Sequence, residues 1–193
     1  MPPITRSEIL PLSEYELIRP HFRARVIEEK RVRRLLLGEN ASVVFENRDT
    51  VLLQIQEMLR TERISSEPAV LHELETYNEL IAGPDQLSFT LFIEIPDRDE
   101  RERRLVELAG LEAAVQLEVD GATLPAVQEL PAGYRPDRTT AVHYFKVNLG
   151  PQAAQSMRAG TARVALVIAH PRWRQRTELG KENLAALAAD LQP

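Results

Sequence analysis

The chain has 193 residues, of which 44% are hydrophobic and 27% charged, with a net charge of −5 and no cysteine. That is globular composition, enough for one ordinary domain or two small ones sharing an interface, and far from the disordered class. The lack of cysteine excludes disulfides, thiolate nucleophiles, cysteine-ligated zinc and any cluster held by the chain's own thiolates.

In chain order, Thr5 or Ser7 can cap a short helix with Glu8 in its first turn. Pro11 and Ser13, with Glu16 completing a capping-box pattern, restart the chain. Pro20 suits the first turn of a long helix running to about Leu37. Its apolar positions Phe22, Val26, Ile27, Val32, Leu35 and Leu36 recur at helical spacing, and Gly38 is placed as its C-cap. Ser42 to Glu46 reads as a short β-branched strand. Asn47 or Asp49 caps a second helix with a stripe of Val51, Leu52, Ile55, Met58 and Leu59. Ser65-Ser66-Glu67-Pro68 breaks it from a third, Ala69 to Ile81, stopped by Gly83-Pro84-Asp85.

After Asp85 the hydrophobic period changes. Leu87 to Ile95 is the clearest strand. An Arg/Glu-rich helix follows from Asp97 to Leu108, then strand-like Ala113 to Val119 and Ala122 to Leu124 about an Asp120-Gly121 hairpin signal. A loop is expected at Pro131-Ala132-Gly133, then a strand from Thr139 to Leu149 and a short helix from Pro151 to Met157. A strand from Arg163 to Ala169 and a tail helix from Glu178 to Leu191 complete the chain. This order predicts an α+β fold: a helical region with one short strand (1–84) packed on a mixed or mainly antiparallel sheet with short helices (85–193), integrated as one domain.

The N-terminus lacks a basic-then-apolar signal run, and no apolar stretch approaches the ~20 residues of a membrane helix. The expected address is therefore the cytoplasm. None of the eight glycines makes a Gly-x-Gly or Gly-x-x-x-x-Gly-Lys phosphate cradle, and no Gly-x-Ser-x-Gly elbow exists. Charge is unevenly spread. Residues 19–34 hold seven Lys/Arg against Glu28 and Glu29, a local +5. Arg23, Arg31 and Arg34 are therefore candidates for binding an acidic partner, and the ordinary alternative is a solvated helix face with Glu–Arg pairs.

Two histidine settings stand out. His72 and Glu75 share a helix face, and Glu57 on the preceding helix could meet them across an antiparallel pair. Such an oxygen and imidazole set, with Glu46 or His143 as further donors, suits iron, manganese or zinc. The order is His-x-x-Glu and occurs once, unlike the repeated Glu-x-x-His of di-iron bundles, and nothing in the sequence requires a cofactor. Alternation places His143 beside Ala141 and Phe145, where a buried, hydrogen-bonded structural histidine is the simpler account. His170-Pro171-Arg172-Trp173-Arg174 is a basic-aromatic cluster that could stack on a base, but cation–π packing explains it as well and overall acidity argues against nucleic acid.

The words Phe45-Glu46-Asn47-Arg48-Asp49-Thr50, Gln54-Ile55-Gln56-Glu57-Met58, Glu73-Leu74-Glu75-Thr76-Tyr77-Asn78 and Ala141-Val142-His143-Tyr144 resemble a bacterial family known only as a domain of unknown function. The likeness covers nearly the whole chain. It implies small cytoplasmic proteins encoded near rubrerythrin-like proteins and iron–sulfur oxidoreductases, and supplies no catalytic residues. Three functions follow as expectations. The first is a non-enzymatic accessory or adaptor protein for a redox metalloprotein, with a rubrerythrin-like or iron–sulfur protein as partner. The second is a metal-binding or metal-dependent protein, and the third a small-molecule sensor.

Overall fold

The computed structural model describes residues 1–128 and 135–191, so the loop expected at 131–133 lies outside the described residues. A 3-10 turn at Arg6–Glu8 is followed by α1 (Leu12–Arg33), β1 (Arg34–Leu36), β2 (Ala41–Phe45), α2 (Arg48–Thr61) and α3 (Glu67–Asn78). Then come β3 (Gln86–Ile93), α4 (Arg98–Glu107), β4 (Val115–Val119), β5 (Ala122–Val127) and β6 (Val142–Asn148). The chain continues through α5 (Gly150–Arg158), β7 (Val164–His170), β8 (Trp173–Glu178) and α6 (Lys181–Asp190). This is the α+β class expected from the hydrophobic periods. Among the described residues the strands form one eight-stranded sheet, ordered β1-β2-β3-β6-β5-β4-β7-β8, and every pairing is antiparallel. β1 and β2, from the 1–84 region, join the same sheet as β3 to β8.

Alternation decides which side chains the sheet buries. Val43 and Phe45, Phe89 and Leu91, Phe145 and Val147, Leu117, Leu166 and Ile168 share one core with Leu105 of α4, Met157 of α5 and Leu187 of α6. Phe89 sits at its centre, with ring centroids 5.5 Å from Phe45 and 5.3 Å from Phe145. A second, smaller core joins Val51, Ile55 and Leu59 of α2 to Val70 and Leu74 of α3, with Ile4, Ile9 and Ile81. Leu71 of α3 is exposed, and Met58, which the stripe of the second helix includes, stands outside this core. Polar ties fix the N-terminal segment to the small core. The Asn78 side chain bonds both backbone groups of Ile4, at 2.8 and 2.9 Å, and Gln56 does the same for Leu10, at 2.7 and 3.3 Å.

Three elements differ from the sequence reading. Pro20 does not open a helix but lies inside α1, on its solvent side. It lacks the N–H an interior position donates, yet the helix runs through because packed residues lie on both sides of it, Tyr15 before and Val26 after. α1 ends at Arg33, short of Leu37, because residues 34–37 bury alternate side chains, Leu35 and Leu37, by pairing with β2. Gly38, at φ 78°, then turns the chain between the two strands instead of capping a helix. Finally, residues 173–178 are strand β8, where only a connection to the tail helix was read. The Asp120-Gly121 hairpin is present, with φ of 50° and 86° at its two turn residues, the primed geometry that favours Asp-Gly.

Candidate functional site

The carboxylate of Glu57 is held on α2 by α1. Arg19 donates to it from Nε at 2.7 Å and Nη2 at 2.9 Å, and the Tyr15 hydroxyl donates at 2.7 Å. This bidentate fork, a strong charge-assisted arrangement, holds the Glu57 carboxyl below the usual carboxylate range. Burial and the same carboxylate push the Tyr15 hydroxyl upward. His72 and Glu75 are exposed on α3. Among the described residues no group of three or more His, Asp or Glu side chains is arranged to hold a metal ion. The sequence could not anticipate this, because the partner of Glu57 lies 38 residues away on another helix.

Glu46 follows β2 and is buried, its two oxygens accepting from Thr50 at 2.5 Å and Thr90 at 2.6 Å. His143 is 1% exposed and stacks on Phe145. Its Nδ1 lies 2.9 Å from Gln128 Oε1 and its Nε2 3.0 Å from Thr139 Oγ1. The Thr139 hydroxyl also faces Glu112 Oε2 at 3.4 Å, so its single proton serves either that carboxylate or Nε2, and the neutral ring carries its own proton on Nδ1 or Nε2 accordingly. Burial pushes the imidazole pKa down, which favours this neutral form. The hydroxyl–imidazole–amide line has the outline of a nucleophile with its base. Thr139, however, is only 3% exposed, so the arrangement is a polar tie inside the fold.

The basic segment divides. Arg34 leaves the helix and belongs to β1, where it donates to Ser42 at 2.5 Å, approaches Glu94 at 3.4 Å and lies over the Phe92 ring. Arg33 is buried and forks onto Asp190 of α6 at 2.5 and 2.9 Å. Arg25 pairs with Asp49, and Arg31 with Glu28 one turn away. Arg23 and Arg31 remain on the solvent side of α1.

That solvent side holds the feature that sequence reasoning missed. Leu17, Pro20, Ala24 and Ile27 are all exposed, and their 3-4-3 spacing sets them in one stripe along the helix. Leu17 is 80% exposed and Ile27 48%, and three of the nine exposed large hydrophobic residues among those described lie on this one helix. Arg31 continues the stripe and Arg23 flanks it. The buried residues Tyr15 and Val26 sit on the opposite face, toward α2 and α6. A signal was present in the sequence. Apolar residues around the whole helix, with charges between them, mean two apolar faces, and a single domain core can cover only one. The arrangement offers a partner an apolar seam beside cationic groups, a helix-in-groove or helix-on-helix surface.

No helix among the described residues is long and apolar enough to cross a membrane. A protein of unknown function from Burkholderia pseudomallei K96243, known from its crystal structure, is 31% identical to this chain. The likeness covers 98% of this chain and 99% of that one, with a TM-score of 0.90. No curated protein matches the chain in sequence. The model of the family described as "Protein of unknown function (DUF3501)" matches residues 3–191, and the chain belongs to that family.

Proposed function

We propose that this protein is a non-enzymatic accessory or adaptor protein that docks on a redox metalloprotein, a rubrerythrin-like or iron–sulfur protein, through the outward face of α1. The observation that carries the docking surface is the exposed Leu17–Pro20–Ala24–Ile27 stripe with Arg23 and Arg31 beside it. An isolated exposed leucine is ordinary, whereas apolar residues aligned along one helix and rimmed by charge mark interaction sites. The partner class follows from the family resemblance. Its complementary surface is an apolar strip with acidic neighbours, and a chain without cysteine can dock to an iron–sulfur protein without competing for its metal through thiolates.

The test is a calorimetric titration of the purified protein with a rubrerythrin-like protein and, separately, with an iron–sulfur oxidoreductase from the same organism. Association is expected with one of them. Replacing Arg23, Arg31 and Arg34 together by Gln weakens it and leaves the melting temperature nearly unchanged. Of the three, Arg34 contributes least, being held by Ser42 and Glu94. Added salt weakens association as well, since exposed charges are screened beyond about 10 Å at 0.1 M. Binding indifferent to both the substitutions and salt contradicts the basic component of the surface, and no association with either protein contradicts the reading.

A further inference from the structure

The basic-aromatic cluster around Trp173 becomes, in the fold, the beginning of an edge strand. Among the described residues, β8 is the last strand of the sheet and pairs only with β7. Its other side is therefore a row of backbone donors and acceptors without a strand partner. The ladder tells which residues present them. The Ala169 N–H of β7 points to β4, where it bonds the Ala114 carbonyl at 2.8 Å, and Ala169 lies directly opposite Arg174. The Leu179 N–H points to β7 and bonds the Val164 carbonyl at 2.9 Å. Because backbone direction alternates along a strand, Arg174 and Arg176 turn their N–H and C=O groups to the free edge.

The same residues carry the charge. Arg172, Arg174 and Arg176 are exposed, while Trp173, Gln175 and Thr177 between them are half-buried on the opposite face. Arg176 is engaged by Glu118 at 2.7 Å and Glu178 at 2.9 Å. Arg174 forms no ion pair with a described residue, so the free cationic end of the edge is Arg172–Arg174. Charge on an edge strand normally keeps copies of a protein apart. Here the two antiparallel self-pairings that overlap most of β8 would set Arg174 against Arg176 with Glu178 against Arg172, or Arg176 against itself with Glu178 against Arg174, so each includes like charges directly opposite, which are destabilising, beside unlike ones. Charge of one sign does not repel a strand of the other sign.

We infer that the free edge of β8 is a strand-addition site for an extended acidic segment of a partner protein. The segment pairs its backbone with Arg174 and Arg176 and places carboxylates, at alternate positions, beside Arg172 and Arg174. This surface is separate from the α1 stripe, and an adaptor with both can hold two partners at once.

The test uses fluorescence anisotropy on the full chain with three labelled synthetic peptides. One alternates Glu and Val, one alternates Lys and Val, and the third is the Glu–Val peptide N-methylated at every second residue along its pairing edge. The Glu–Val peptide is expected to bind, and the Lys–Val and N-methylated peptides are not. Arg172→Gln with Arg174→Gln should weaken binding about five- to tenfold, as the loss of two exposed ion pairs allows, without moving the melting temperature. Leu17→Glu with Ile27→Glu should leave peptide binding unchanged, so failure here and failure of the α1 reading are told apart. Equal binding of the N-methylated peptide would overturn strand addition in favour of bare charge attraction. No binding of the Glu–Val peptide, or binding insensitive to the arginine substitutions, would overturn the inference as well.

Discussion

The two faces of α1 carry comparable apolar content and opposite fates. Inward, Tyr15 and Val26 are fully buried, and two arginines beside them reach carboxylates of other helices: Arg19 that of Glu57 on α2, Arg33 that of Asp190 on α6. Outward, Leu17, Ala24 and Ile27 meet solvent, with Arg31 hydrogen-bonded to Glu28 of its own helix and near enough to Glu182 of α6 to feel its charge. Hydrophobicity alone therefore does not choose the buried face of this helix. The inward face is also the one that ion pairs tie to α2 and α6, and an apolar stripe is left over where no described element packs.

The contrast breaks most readily at Arg33. Arg33→Ala leaves Asp190, whose side chain is 11% exposed, buried without its cation. The expected loss is about 3–5 kcal/mol in a denaturant titration, as for other broken buried pairs. A loss no larger than that of a surface substitution would mean this ion pair does not tie the inward face. Tyr15→Phe removes one donor to Glu57 while Arg19 remains, so a loss of about 1 kcal/mol is expected in the same experiment.

Acid sharpens the comparison further. Glu57 has a folded-state pKa below its unfolded value, chiefly through Arg19, so its stabilising contribution is complete above about pH 4.3 and is lost as pH falls through the folded value. Stability measured from pH 6 down to acid should fall in the wild type, and Glu57→Gln should flatten that slope. An unchanged slope would place the acid sensitivity elsewhere, Glu8 being the next candidate, since Arg48 and the Thr5 backbone lower its pKa to about 2. The smallest effect belongs to the outward face. Leu17→Ala and Ile27→Ala should each alter stability by no more than about 0.5 kcal/mol. A loss of several kcal/mol from either would show that the stripe is packed in solution.

What the sequence made legible follows from range. β3, α2 with its Asn47 cap and the Asp120-Gly121 turn rest on local pattern; β3 and α2 lie within a residue or two of the reading, and the turn falls where expected although β5 runs three residues further, to Val127. The boundary between α1 and β1 was lost because Leu35-Leu36-Leu37 fits a helical stripe and an alternating strand equally well, and pairing with β2 decided it. β8 was lost because its exposed alternate positions are Arg174, Arg176 and Glu178, which read as loop until β7 supplies the ladder. The buried, hydrogen-bonded role of His143 was legible from alternation. The grouping of Glu57 with His72 was not testable on one helix pair alone, because the competing cation, Arg19, comes from a third.

The central claim is that the stripe on α1 is a docking surface and not a packed one. The most direct measurement compares Leu17→Glu with Ile27→Glu, as a double variant, and the wild type in both melting temperature and affinity for the redox partner that binds. The account predicts an unchanged melting temperature and association weakened beyond detection, because two carboxylates then occupy the apolar seam beside Arg23 and Arg31. Unaltered affinity with an unaltered melting temperature would contradict it.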